Sequence, residues 1–107
     1  MELLRRFFQD SPSSYFLFGP RGTGKTTWLK ININNAIYID LLDPKNFRTY
    51  SAYPERLNEI INGNPEKKII ILDEIQKVPY LLDIVHQIIE NDKSLKFILT
   101  GSSSRKL

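Results

Sequence analysis

The sequence predicts an α/β fold, a parallel sheet with helices on both faces. Three observations predict it. Short apolar or aromatic runs alternate with stretches of helical periodicity, in the order strand, helix, strand, helix, strand, helix, strand. Each link between successive strands is long enough for a parallel crossover. The third run, Ile69-Ile70-Ile71-Leu72, is apolar at every position, as expected for a strand covered on both sides.

The elements follow in chain order. Glu2 to Gln9 reads as a short amphipathic helix that stops near Asp10-Ser11-Pro12, and Pro12 with its serines reads as a turn. Tyr15-Phe16-Leu17-Phe18 is aromatic, apolar and bounded by breakers, which predicts a buried strand. Gly19 to Gly24 is a loop by composition, Lys25 to Lys30 opens a helix, and the asparagines of Asn32–Asn35 end it. Ala36 to Asp40 is the second strand, and Asp43-Pro44 turns the chain into two short helices, Asn46 to Ala52 and Glu55 to Ile61. Asn62-Gly63-Asn64-Pro65 is a strong break before the third strand, Lys68 to Leu72. Val78-Pro79 leads into a helix over Tyr80 to Glu90, whose Leu81, Ile84, Val85, Ile88 and Ile89 recur at helical spacing. Lys96 to Thr100 is the fourth strand, closed by Gly101 and three serines, and Ser102 to Leu107 reads as the beginning of another helix.

Composition narrows the function classes. With 107 residues, 41% hydrophobic and 25% charged, the chain is of ordinary globular make-up and long enough for one domain with a modest core. The net charge is +3, and Arg5-Arg6, Lys67-Lys68 and Arg105-Lys106 are separated pairs rather than a block. That pattern fits a solvated surface better than a nucleic-acid stripe. The absence of cysteine excludes disulfides and thiolate metal sites. No apolar run is long enough to span a bilayer, and the N-terminus lacks the apolar core of a secretory signal. A cytoplasmic location is the resulting expectation.

Gly19-Pro20-Arg21-Gly22-Thr23-Gly24-Lys25-Thr26 fits G-x-x-x-x-G-K-[ST] at every fixed position, between a predicted strand and a predicted helix. Glycines let the backbone turn with positive φ and bring its N–H groups close to oxygen atoms. Together with a helix N-terminus those groups form a concave anion site. Lys25 adds a mobile positive charge that reaches β- and γ-phosphates, and the Thr26 hydroxyl is a ligand type for Mg²⁺. Thr27 completes the nucleotide-binding set. ATP with Mg²⁺ is the ligand expected.

The second constellation is Asp73-Glu74 at the end of the third strand. Carboxylates at the end of a buried strand need partners or a cation. In a parallel sheet, that end shares a crevice with the loop after the first strand. Asp73 is expected to hold Mg²⁺, directly or through a water, and Glu74 to orient the attacking water or accept its proton. A softer signal is Thr100-Gly101-Ser102, whose hydroxyls are candidates for sensing the γ-phosphate, with Ser102 ranked ahead of Thr100; a plain helix cap is the competing role. Asp40 and Asp43 read as cap and turn residues, His86 as a surface histidine, Trp28 as packing. Arg21 and Gln76 are open between site and structural roles.

GPRGTGKTT, a strand ending YID, IIILDEIQKVP and FILTGSSS together resemble the AAA-type ATPases. The likeness is strongest to the prokaryotic group whose ATPase module precedes a C-terminal domain of unknown function. It covers nearly all of this chain but only the first half to two-thirds of that module. It implies a five-stranded sheet in the order 5-1-4-3-2, of which four strands in the order 1-4-3-2 are expected here, making residues 1–107 a truncated nucleotide-binding domain. It further implies Lys25 and Thr26 in the Walker A role, Asp73 and Glu74 in the Walker B role, and Ser102 as first sensor. A fifth strand, an arginine finger and a second sensor are parts of the family pattern not found in the sequence. The implied activity is ATP hydrolysis that drives change in a sister subunit or C-terminal partner; nucleotide binding without turnover is the alternative. A small-molecule kinase would need an arginine-rich lid, and a GTPase an Asn-Lys-x-Asp stretch; neither is in the sequence. A nucleic-acid partner has only the scattered basic pairs in its favour.

Overall fold

The computed structural model describes residues 14–19, 33 and 35–102. The helix expected over Glu2 to Gln9, the glycine-rich loop beyond Gly19 and the helix expected over Lys25 to Lys30 lie outside the described residues, as do residues 103–107.

Four parallel strands, β1 (Tyr15–Gly19), β2 (Ala36–Asp40), β3 (Ile69–Asp73) and β4 (Lys96–Ser102), form one sheet in the order β1-β4-β3-β2. The register pairs Gly19 with Ser102, Leu17 with Thr100, Leu72 with Leu99, and Asp40 with Asp73. All four C-terminal ends therefore share one edge of the sheet. The N-terminal edge is tied by the Phe97 N–H, which donates to Ser14 Oγ at 2.8 Å, and by the Lys96 N–H, which donates to the Lys68 carbonyl at 2.8 Å.

Three described helices, α1 (Pro44–Ala52), α2 (Arg56–Asn62) and α3 (Leu81–Asn91), pack on one face. Pro44 occupies the first turn of α1, where its fixed φ suits the helix and its missing N–H costs nothing. In α3, Leu81, Leu82, Val85, Ile88 and Ile89 are buried, the spacing of an amphipathic helix. They meet Ile37 and Ile39 of β2, Ile70 and Leu72 of β3, and Phe97 and Leu99 of β4 in a single cluster. On the opposite face Ile71 and Ile98 are buried with Ile33, Ala36, Tyr38 and Ile69 against them. The unbroken apolar run of β3 is thus buried on both sides. Each such side chain contributes about 1.5–3 kcal/mol relative to exposure.

Most elements lie within a residue of the sequence expectation at each end, and the larger differences have physical reasons. Helix α1 begins at Pro44 rather than Asn46, because proline is a good first-turn residue as well as a breaker. A 3₁₀ turn, Ile75–Lys77, precedes α3; its Ile75, like the following Val78, is buried in the core. Strand β4 continues through Gly101 to Ser102, so Ser102 is a strand residue and not the start of a helix.

Candidate functional site

The C-terminal edge of the sheet gathers its buried polar groups. Asp73, Glu74 and Thr100 are 3%, 2% and 0% exposed, a burial that carboxylates tolerate only with partners. Strand pairing brings Thr100 of β4 beside Asp73, one step beyond the Leu72–Leu99 pair. The Thr100 hydroxyl donates to Asp73 Oδ1 and accepts the Glu74 N–H at 2.8 Å. From the other side, the Tyr38 hydroxyl of β2 donates to Asp73 Oδ2. Both oxygens of the carboxylate are therefore engaged by hydroxyls from the two flanking strands.

Glu74 turns the chain out of the strand. Its φ of 63° and ψ of 55° are left-handed, a conformation that costs a residue with a Cβ roughly 1–2 kcal/mol. This turn aims its N–H at Thr100 and sends the backbone into the 3₁₀ turn, where Gln76 Nε2 donates to Glu74 Oε1 at 2.7 Å. Gly101 makes the arrangement compact: a Cβ there would lie 2.8 Å from Phe16 Cζ and 3.3 Å from Gln76 Oε1. Phe16 of β1, the end of β4 and the Gln76 amide converge because position 101 has no side chain.

The predicted site residues fall into two groups. Asp73 and Glu74 are brought together with Thr100, and Gln76, left open by sequence, joins Glu74. Gly19 is the last residue of β1, paired with Ser102, so the glycine-rich loop departs from the strand two places from β3 across β4. Pro20, Arg21, Gly22, Thr23, Gly24, Lys25, Thr26 and Thr27 lie outside the described residues, as does the Ser102 side chain. Thr100, ranked second of the two hydroxyls by sequence, is bonded at both acids. Tyr38 was not anticipated at all.

The residues set aside behave structurally. Asp40 Oδ1 accepts the Leu42 N–H at 3.0 Å, a local turn bond. Asp43 occupies the N-cap of α1 without a side-chain cap bond; its carbonyl accepts the Phe47 N–H at 2.9 Å. His86 Nε2 lies 3.7 Å from Glu90 Oε2, one turn along α3. The surface depressions around His86, Gln87 and Glu90 and around Asn64, Lys68 and Asp92 involve none of the site residues.

The donor set at this edge is oxygen only. Among the described residues no group of three or more His, Cys, Asp or Glu side chains could cage a metal. The chemistry of a carboxylate pair fits Mg²⁺, which keeps several waters and takes one or two carboxylates plus substrate phosphates. No helix among the described residues is long and apolar enough to cross a membrane.

An α/β domain with a parallel sheet, a strand-to-loop exit at Gly19 and buried acids on the same edge is consistent with a P-loop-like fold. Residues 11–107 match the family model described as an AAA domain, and the chain belongs to that family. No curated protein and no solved structure matches the chain.

Proposed function

We propose that this chain binds ATP with Mg²⁺ across the C-terminal ends of β1, β4 and β3, and that in its complete form the module hydrolyses the nucleotide. The reading is carried by the buried Asp73–Thr100–Glu74 network, whose acids end β3, two places from β1, where the G-x-x-x-x-G-K-T motif begins at Gly19. In it the backbone N–H groups of residues 22–25 cradle the phosphates, and Lys25 contacts the β- and γ-phosphates. The Thr26 hydroxyl and Asp73 would hold the cation. When bound, Mg²⁺ supplies positive charge that offsets the charge developing on the phosphates. Glu74 orients a water and accepts its proton as the water oxygen bonds to the γ-phosphorus, the bond to the β–γ bridging oxygen breaks, and ADP leaves. Thr100 holds both acids in register, with Ser102 as a further candidate near the γ-phosphate.

Membership of the family and the resemblance in the motifs support ATP as the nucleotide and a sister subunit or C-terminal domain as the recipient of the conformational change, in a cytoplasmic setting. Binding without turnover is the second reading. It is favoured by one contact: the Glu74 carboxylate is held by Gln76, so the base is engaged in the resting arrangement.

Calorimetry with ATP and ADP, in magnesium and in EDTA, tests the binding half. Lys25→Ala is expected to abolish binding in a folded sample, and indifference of both wild type and variant to every nucleotide would overturn the proposal. Phosphate release tests the hydrolytic half: Glu74→Gln keeps bound ATP and loses release if Glu74 is the base. Equal release from the two purified proteins excludes that role.

A further inference from the structure

Tyr38 belongs neither to the glycine-rich loop nor to the acidic pair, yet its hydroxyl donates to Asp73 Oδ2. Its reach follows from the register. Tyr38 pairs with Ile71 and Asp40 with Asp73, so the phenol runs two residues along the neighbouring strand, roughly 6–7 Å, on the sheet face it shares with Asp73. The ring is anchored against Ile71 and Ile98, and a tyrosine has only two side-chain torsions to fix. A carboxylate at a strand end turns about its own Cβ–Cγ bond unless both oxygens are engaged. Thr100 engages Oδ1 from β4, but its hydroxyl also serves the Glu74 N–H. Tyr38, itself partly buried, engages the second oxygen from β2.

We propose that Tyr38 is a positioning residue for the divalent cation of the nucleotide site: from the adjacent strand it sets the plane of the Asp73 carboxylate. This rests on the proposed ATP·Mg²⁺ site. It makes the β2–β3 pair part of the cation site, because losing the outer partner of a metal-holding group typically costs about 10–100-fold in metal affinity. Tyr38→Phe removes one oxygen and keeps the ring in its cluster.

The test measures ATP dissociation constants of the full chain in magnesium and in EDTA, and takes their ratio as the cation-dependent gain. A Mn²⁺ titration in the presence of ATP, followed by electron paramagnetic resonance, reads the metal directly. Tyr38→Phe is expected to cut the gain and the Mn²⁺ affinity about 10-fold while leaving ATP affinity in EDTA unchanged. In an Asp73→Asn background the same substitution should change neither quantity, because it acts through Asp73. An unchanged gain in Tyr38→Phe, or an equal loss with and without Asp73, overturns the proposal and leaves the nucleotide site standing. A wild-type chain that binds ATP equally in magnesium and EDTA removes the cation site itself, and the role of Tyr38 with it.

Discussion

Replacing Thr100 by valine keeps the branched shape and deletes the hydroxyl on which the acidic pair converges. Two hydrogen bonds disappear, one to a carboxylate oxygen and one from a backbone N–H, and both partners are almost fully buried. A bond to a charged group contributes about 1.5–3 kcal/mol and a neutral one about 1 kcal/mol. The added methyl returns about 0.8 kcal/mol of burial. The net loss expected for Thr100→Val is therefore about 2–3 kcal/mol. In a domain of this size that lowers the melting temperature by about 10–20 °C. Thr100→Ser is the control: it keeps the hydroxyl and removes a methyl, a cost of about 1 kcal/mol. Urea unfolding followed by far-ultraviolet circular dichroism, with unchanged denaturant slopes, measures both. A residue that merely filled the core would reverse this ranking. Thr100→Val at wild-type stability, or Thr100→Ser below Thr100→Val, would refute the role assigned to the hydroxyl.

Two further outcomes follow from the same contacts. Gly101→Ala puts a Cβ 2.8 Å from Phe16 Cζ and crowds Gln76; it should cost about 1–3 kcal/mol in thermal or urea unfolding, and Phe16→Leu in the same chain should recover part of the loss. Burial raises the Tyr50 phenol above its ordinary 10.0, against a smaller lowering by Arg56 and with a lesser push from Glu59. Because its folded pKa is the higher one, the stability it contributes is complete below pH 10.0 and is lost as pH rises from there through the folded value. Urea titrations stepped upward through that range should show a steeper decline in wild type than in Tyr50→Phe, and parallel curves would exclude the effect.

The parts of this fold that were legible in the sequence are those governed by short-range pattern. Ile69 to Leu72 announced a strand buried on both faces, and the spacing of Leu81, Val85 and Ile88 announced α3 to within a residue at each end. The acidic pair was legible because charge at the end of such a strand conflicts with burial. The network around it was not. Tyr38 meets Asp73 only through the β2–β3 register, and alternation within one strand says nothing about where its neighbour stands. The contact of Thr100 with Asp73 depends on the β3–β4 register in the same way. The left-handed turn at Glu74 carries no sequence signal, because glycine or asparagine would be the residue expected there. Ser14 read as part of a linker, although its hydroxyl accepts from Phe97 and ties the start of β1 to β4.

Where the chain departs from its own local rules is informative in itself. A strand end selected only for stability would place glycine or asparagine at the left-handed position 74 and a neutral residue at the buried position 73. This chain has Glu74 and Asp73 instead, accepting backbone strain at one and desolvation at the other. The cost is met locally by a hydroxyl from β2, a hydroxyl from β4 and an amide from the 3₁₀ turn. Three separate elements converge on two carboxylates whose removal would relieve both penalties. Stability gives no reason to keep such an arrangement, whereas two carboxylates held in fixed orientation at the C-terminal edge of a parallel sheet do have a use in a binding or catalytic site. The strained glutamate and its braced neighbour thus argue for function independently of the glycine-rich motif, from the opposite side of β4.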